Sequence, residues 1–135
     1  MQTIRHRVLL SAILGFAAAT TGCFLAAAGA GAGGAIYITE RGAEAQVASP
    51  VNRTLDAVKQ AFQEYGITET KSSTEQDGAV EKRSLEGKTS DRDVEVELRT
   101  EGSGTHVEVV VKKSAVTWDK DFAKRILNKI VEQAK

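Results

Sequence analysis

Val94-Glu95-Val96-Glu97-Leu98-Arg99, followed across Gly102-Ser103-Gly104 by Thr105-His106-Val107-Glu108-Val109-Val110-Val111-Lys112-Lys113, is the stretch that decides the fold. Val94, Val96 and Leu98 alternate with Glu95, Glu97 and Arg99, and Val107, Val109 and Val111 alternate with His106, Glu108, Val110 and Lys112. Strict two-residue alternation predicts strands, and the Gly-Ser-Gly between them predicts a tight reversal. The expected product is an antiparallel pair with one apolar and one polar face. An apolar sheet face must be covered, so helices with matching stripes are required elsewhere in the chain.

Both neighbours supply them. Upstream, Gly42 to Ser49 alternates Ala43, Ala45 and Val47 with Glu44, Gln46 and Ala48, which predicts a strand. Ser49-Pro50 then marks a helix start, with serine as N-cap and proline in the first turn. Val51, Leu55, Val58, Phe62 and Tyr65 form one helical stripe, and Gly66 ends it. Ile67 to Glu75 is polar and threonine-rich, suited to an edge strand, with Gln76-Asp77-Gly78 as a turn. Ala79 to Lys88 follows as a strand, and Thr89-Ser90-Asp91-Arg92 turns the chain into the founding pair. Downstream, Trp118, Phe122, Ile126, Ile130 and Ala134 fall four apart, widened by Leu127 and Val131. Asp119 and Asp121 near the start of this helix, and Lys124, Arg125, Lys129 and Lys135 later, suit its dipole. Trp118 is expected in the core or as a staple at the helix start. The order is β-α-β-β-β-β-α: an α+β two-layer sandwich, an antiparallel sheet of about five strands with two helices on one face.

The beginning of the chain differs in kind. Arg5-His6-Arg7, the apolar run Val8 to Ala19 and Thr20-Thr21-Gly22-Cys23 have the layout of an export signal. Ending in Thr-Gly-Cys, it resembles a bacterial lipoprotein signal. That resemblance implies cleavage before Cys23, a diacylglycerol on its thiol and acylation of the new amino terminus. Thr20 stands where such signals most often have Leu. Two other readings stay open: an uncleaved anchor, since residues 8–38 carry no charge and exceed the roughly 20 residues that span a bilayer, and ordinary cleavage after Ala17-Ala18-Ala19 or Ala26-Ala27-Ala28. Residues 1–22 are thus expected to be the signal, 23–40 a lipidated Ala/Gly-rich tether, and 41–135 the folded domain.

Removing residues 1–22 leaves 113, enough for one small domain. The 18 basic and 18 acidic residues become 16 and 18 once Arg5 and Arg7 are lost. A slightly negative chain lacks the footprint of a nucleic-acid binder. Cys23 is the only cysteine, which excludes an intramolecular disulfide. Gly29 and Gly33 form a GxxxG that would let two membrane helices approach closely. Gly29, Gly31 and Gly34 formally match a dinucleotide fingerprint, but no predicted strand precedes them. Asn52-Arg53-Thr54 matches a glycosylation pattern inside a predicted helix start and is set aside.

The run Gly22-Cys23, the segment ending Gly33-Gly34-Ala35-Ile36-Tyr37, the strand into Ser49-Pro50-Val51 and the helix ending Tyr65-Gly66-Ile67 resemble the small bacterial lipoprotein family of unknown function DUF3568. Trp118-Asp119 through Ile126-Leu127-Asn128-Lys129-Ile130 fits the same family. The resemblance implies export, lipid attachment at Cys23 and a compact α+β domain, and supplies no substrate or active residue.

The chemical inventory is thin. His106 is the one histidine after the signal, and a metal site would need it beside Glu95, Glu97 or Glu108. Asp91 and Asp93 flank a turn and Asp119 and Asp121 open a helix, where aspartate has structural reasons to be. Ser72, Ser73 and Thr74 have no histidine partner indicated. No catalytic residue, metal or cofactor is therefore expected. The polar sheet face, carrying Glu95, Glu97, Arg99, His106, Glu108 and Lys112, is the candidate docking surface. The expected protein is a non-enzymatic binding or structural module of the bacterial cell envelope. Its expected partners are the membrane, through the covalent lipid, and an envelope protein, with no nucleic acid. Phe24, where a common inner-membrane retention signal has Asp, points to an outer membrane. The alternatives are a small enzyme or ligand carrier with a site between helices and sheet, and a single-span protein with the same domain.

Overall fold

The computed structural model describes residues 34–135; Cys23, the export signal and most of the expected tether lie outside the described residues. The elements run β1 (Ile36–Ile38), β2 (Gly42–Val47), α1 (Val51–Glu64), β3 (Thr68–Asp77), β4 (Val80–Lys88), β5 (Asp93–Glu101), β6 (Gly104–Ser114), β7 (Thr117–Trp118) and α2 (Lys120–Gln133). All pairings among the described residues are antiparallel, in the order β1-β2-β6-β5-β4-β3, with β7 on β6. The fold is α+β, and the described residues form seven strands rather than about five. The founding pair is in the expected register, Val96 opposite Val109 and Leu98 opposite Val107.

Both additional strands are short. Ile36–Ile38 falls in the segment expected as tether, yet pairs with Ala43–Ala45 and packs Ile36 against the core. Three residues are too few for alternation to register, and the low-complexity glycine run before them hides the strand. Thr117–Trp118 pairs back on Lys112 to Ser114. Trp118 therefore precedes the helix instead of lying on its stripe, and it is half-buried outside the core cluster. Asp119 caps α2 instead, its Oδ1 accepting the N–H of Phe122 at 2.9 Å.

Helix α1 begins one residue later than expected, with Pro50 at the N-cap and no side-chain cap. Ser49 is engaged elsewhere: its hydroxyl donates to the carbonyl of Ala134 at the end of α2. Its own carbonyl accepts from Thr105 Oγ1 at 2.8 Å and Thr54 Oγ1 at 3.4 Å. Ser49, Thr54 and Thr105 are all buried, so these bonds satisfy groups that would otherwise be costly to enclose. They tie the start of α1, the start of β6 and the end of α2 together. At the other end of α1, Gly66 takes φ 64°, and the N–H groups of Ile67 and Gly66 reach the carbonyls of Phe62 and Gln63. This is a Schellman closure, which needs a left-handed residue at Gly66.

The core cluster joins Ala43, Ala45 and Val47 of β2, Leu85 of β4, the alternating residues of β5 and β6, and the buried faces of α1 and α2. Phe62, Val96, Val109, Phe122 and Ile126 all belong to it. On α1 the buried stripe is rotated from the expected one, with Thr54, Ala57 and Ala61 fully enclosed and Leu55 and Tyr65 at the margin. Small residues there let α1 approach α2. No basic residue lies in the last turn of α2; Lys129 instead reaches Glu64 of α1 at 3.0 Å.

Candidate functional site

The polar side of the strands is laid out by register. Glu97 lies opposite Glu108, Arg99 opposite His106, Glu95 opposite Val110, and Lys112 opposite Asp93. Strand β2 extends two of these rows, setting Glu44 against Glu108 and Gln46 against His106. The six expected residues are thus gathered on adjacent strands, and Glu44 joins them. Its contribution was legible in the alternation of Gly42 to Val47, but its place beside Glu108 depends on a β2-β6 pairing that joins strands far apart in the chain.

Glu44, Glu108 and Glu97 stand abreast, an arrangement that repels unless cations intervene. Lys82 of β4 supplies one, its Nζ 3.1 Å from Glu97 Oε2. The hydrogen bond with Glu97, and then its charge, raise the Lys82 ammonium above its ordinary range. His106 lies 3.7 Å from Glu44 and 3.8 Å from Glu101. Both distances exceed hydrogen-bond reach, and both carboxylates are more than a third exposed. The acidic neighbours of His106 are therefore Glu44 and Glu101, not Glu95, Glu97 or Glu108. Among the described residues, no group of three or more His, Cys, Asp or Glu is placed to hold a metal ion. A shallow hollow of about 260 Å³ opens on this side, lined by Glu86, Lys88, Asp93, Glu95, Val110 and Lys112 among others. Its charges are mixed, and Lys88 sits 3.5 Å from Asp93.

Asp91 and Asp119 share Arg92 as a structural partner. Asp91 accepts two hydrogen bonds from Arg92 Nη1, at 2.9 and 3.1 Å. Arg92 also places Nε 2.8 Å from Asp119 Oδ2. Burial pushes the Asp119 carboxyl upward, but the Phe122 N–H and the Arg92 guanidinium outweigh it and hold the group below its ordinary range. A lowered folded pKa means that stability is fully present above the unfolded value of about 3.9 and is lost as pH falls through the folded value. Asp119→Ala is expected to cost about 0.5–2 kcal/mol at neutral pH, the usual loss for an N-cap. Urea denaturation at descending pH checks this: the gap between parent and variant closes in acid, and a constant gap would show that the carboxylate is not the group responsible.

Trp118 sits beside two cations, with Arg41 5.2 Å and Lys112 Nζ 5.5 Å from its ring centroid. Sequence reasoning misses this because helical spacing puts Trp118 on the last helix, whereas the β7 pairing sets it opposite Lys112.

The fold and this polar surface define a small α+β protein with an antiparallel sheet and two helices. The chain belongs to the family described as protein of unknown function (DUF3568), which matches it over residues 7–133. No curated protein and no solved structure matches the chain at a significant level.

Proposed function

We propose that the chain is an envelope lipoprotein, processed to begin at Cys23 and held at a membrane by acyl chains. Its α+β domain serves as a non-enzymatic binding or structural module. The observation that carries this reading is the run Arg5 to Cys23, with basic residues, an apolar stretch and Thr-Gly before a lone cysteine. One feature of the domain favours it. Val96, Val109, Ile126 and Leu127 are wholly enclosed, which argues against a ligand site between helices and sheet. In the same reading the domain is a two-layer sandwich. Both helices cover the apolar side of the sheet, leaving the Glu44, Glu97, Arg99, His106 and Glu108 side for an envelope partner.

Each buried acyl methylene contributes about 0.8 kcal/mol, and two membrane signals already anchor stably. A diacylglycerol plus an N-acyl chain therefore holds the domain without any spanning helix. With Phe24 after the cysteine, an outer membrane is the destination. Cys23→Ala is expected to abolish incorporation of labelled fatty acid and to leave an uncleaved precursor retained by residues 8–19. Intact-mass measurement reads both effects. Fatty acid retained on the variant, or a wild-type mass equal to the unmodified full chain, would overturn the lipoprotein reading.

A further inference from the structure

Among the described residues, strand β3 ends the sheet, pairs only with β4, and has all ten residues exposed. It contains no proline, and from Lys71 to Asp77 its register is regular. The groups it directs away from β4 form an unpaired ladder that another antiparallel strand fits. Its side chains specify which strand. Lys71, Ser73, Glu75 and Asp77 share one side, while Ser72, Thr74 and Gln76 on the other are uncharged.

We propose that β3 pairs with β3 of a second copy of this chain, about a two-fold axis through Ser73. In that register Lys71 stands opposite Glu75 of the second copy, and symmetry repeats the pair on the far side of the axis. Ser72 faces Thr74 and Thr70 faces Gln76. The pairing continues a charge pattern already present, because Glu75 lies beside Lys82 and Lys71 beside Glu86 within each copy, the latter at 3.1 Å. Across the junction the order is Lys82, Glu75, Lys71, Glu86, alternating in sign. The one like-charge pairing, Glu69 with Asp77, falls at the bulge between Glu69 and Lys71, where the strand leaves the regular register. Self-pairing of this kind is isologous and closes at two copies, so it produces a dimer rather than a fibre. The proposal does not depend on lipidation at Cys23.

The test uses the full chain in mild detergent, followed by sedimentation equilibrium. Lys71→Glu sets a new carboxylate against Glu75 of the second copy, and Glu75→Lys sets a new ammonium against Lys71. Each variant alone is therefore expected to dissociate at concentrations about tenfold higher than the parent or more. Mixed together, the two variants regain both complementary pairs and are expected to form a heterodimer. The intramolecular Lys71–Glu86 contact is exposed and contributes little, and Lys71→Glu removes it from monomer and dimer alike, so it does not enter the association. As a second readout, in a Cys23→Ala background that leaves no other thiol, Ser73→Cys brings two thiols face to face across the axis. The Cα separation of about 4.5–5.5 Å lies within disulfide reach. It is expected to cross-link on mild oxidation, and the off-axis Thr68→Cys is not. A parent that stays monomeric, a mixture no tighter than its components, or equal cross-linking at positions 73 and 68 would each overturn the pairing.

Discussion

Replacing Phe122 by alanine is expected to destabilise the domain by about 3–5 kcal/mol, the range for removing a buried aromatic. Phe122 is 8% exposed and opens the buried face of α2. Tyr65 meets it edge-on, with centroids 5.6 Å apart and planes at 88°, a geometry that adds to the area it buries. Arg92 and Arg125 lie over the ring at 5.2 and 5.3 Å. Truncation therefore removes an aromatic contact across the two helices and leaves a cavity beside Tyr65, whose hydroxyl donates to the carbonyl of Arg125. A domain of about 100 residues has roughly 5–15 kcal/mol in total, and the loss is a large fraction of it. Thermal and urea melts of the parent and variant check the effect. A variant that melts with the parent would mean that α2 is not packed through Phe122.

The second large effect is expected at Gly42, for a different reason. A Cβ there would lie 1.9 Å from the carbonyl oxygen of Val109 and 3.1 Å from the Cα of Val110. Both are backbone atoms of β6, the strand paired with β2, so no rotamer change relieves the clash. Gly42→Ala must push β2 away from β6 or bend it. The expected cost is at or above the top of the usual overpacking range of about 1–3 kcal/mol. Hydrogen exchange locates the damage: protection is lost first in β1 and β2, while β3 to β5 keep theirs. Gly66→Ala is the contrast, since a Cβ there meets nothing within 4 Å. It carries only the left-handed backbone cost, about 1–2 kcal/mol. Equal stability of Gly42→Ala and the parent would show that the two strands are not in that close approach.

Phe122 is legible in the sequence because helical spacing requires no knowledge of what the helix meets. Gly42 is not. It reads as the ordinary start of a strand, and only the β2-β6 pairing makes it intolerant of a methyl group. The same division runs through the polar surface. The alternation of β5 and β6 is enough to put Glu95, Glu97, Arg99, His106, Glu108 and Lys112 on one side. The row of Glu44, Glu108 and Glu97 and the bridge from Lys82 required the strand order.

Local periodicity determined the α+β class, both helices and the founding strand pair, because periods of two and of 3.6 are properties of consecutive residues, and the polar, threonine-rich composition of residues 67–75 pointed to the edge position of β3. The resemblance of residues 5–23 to a bacterial lipoprotein signal supplied the expectation of lipid attachment without any folded structure. Tertiary structure decided the rest. Ile36–Ile38 and Thr117–Trp118 are too short to announce themselves and exist as strands only because β2 and β6 offer them an edge. Ser49 gave up its expected cap because Ala134, 85 positions away in sequence, presents a carbonyl that burial requires to be paired. Trp118 left the helix stripe because Asp119 could satisfy the N–H of Phe122 and start α2 after it. For Ser49 the deciding contact joins distant segments and is invisible to any window of sequence.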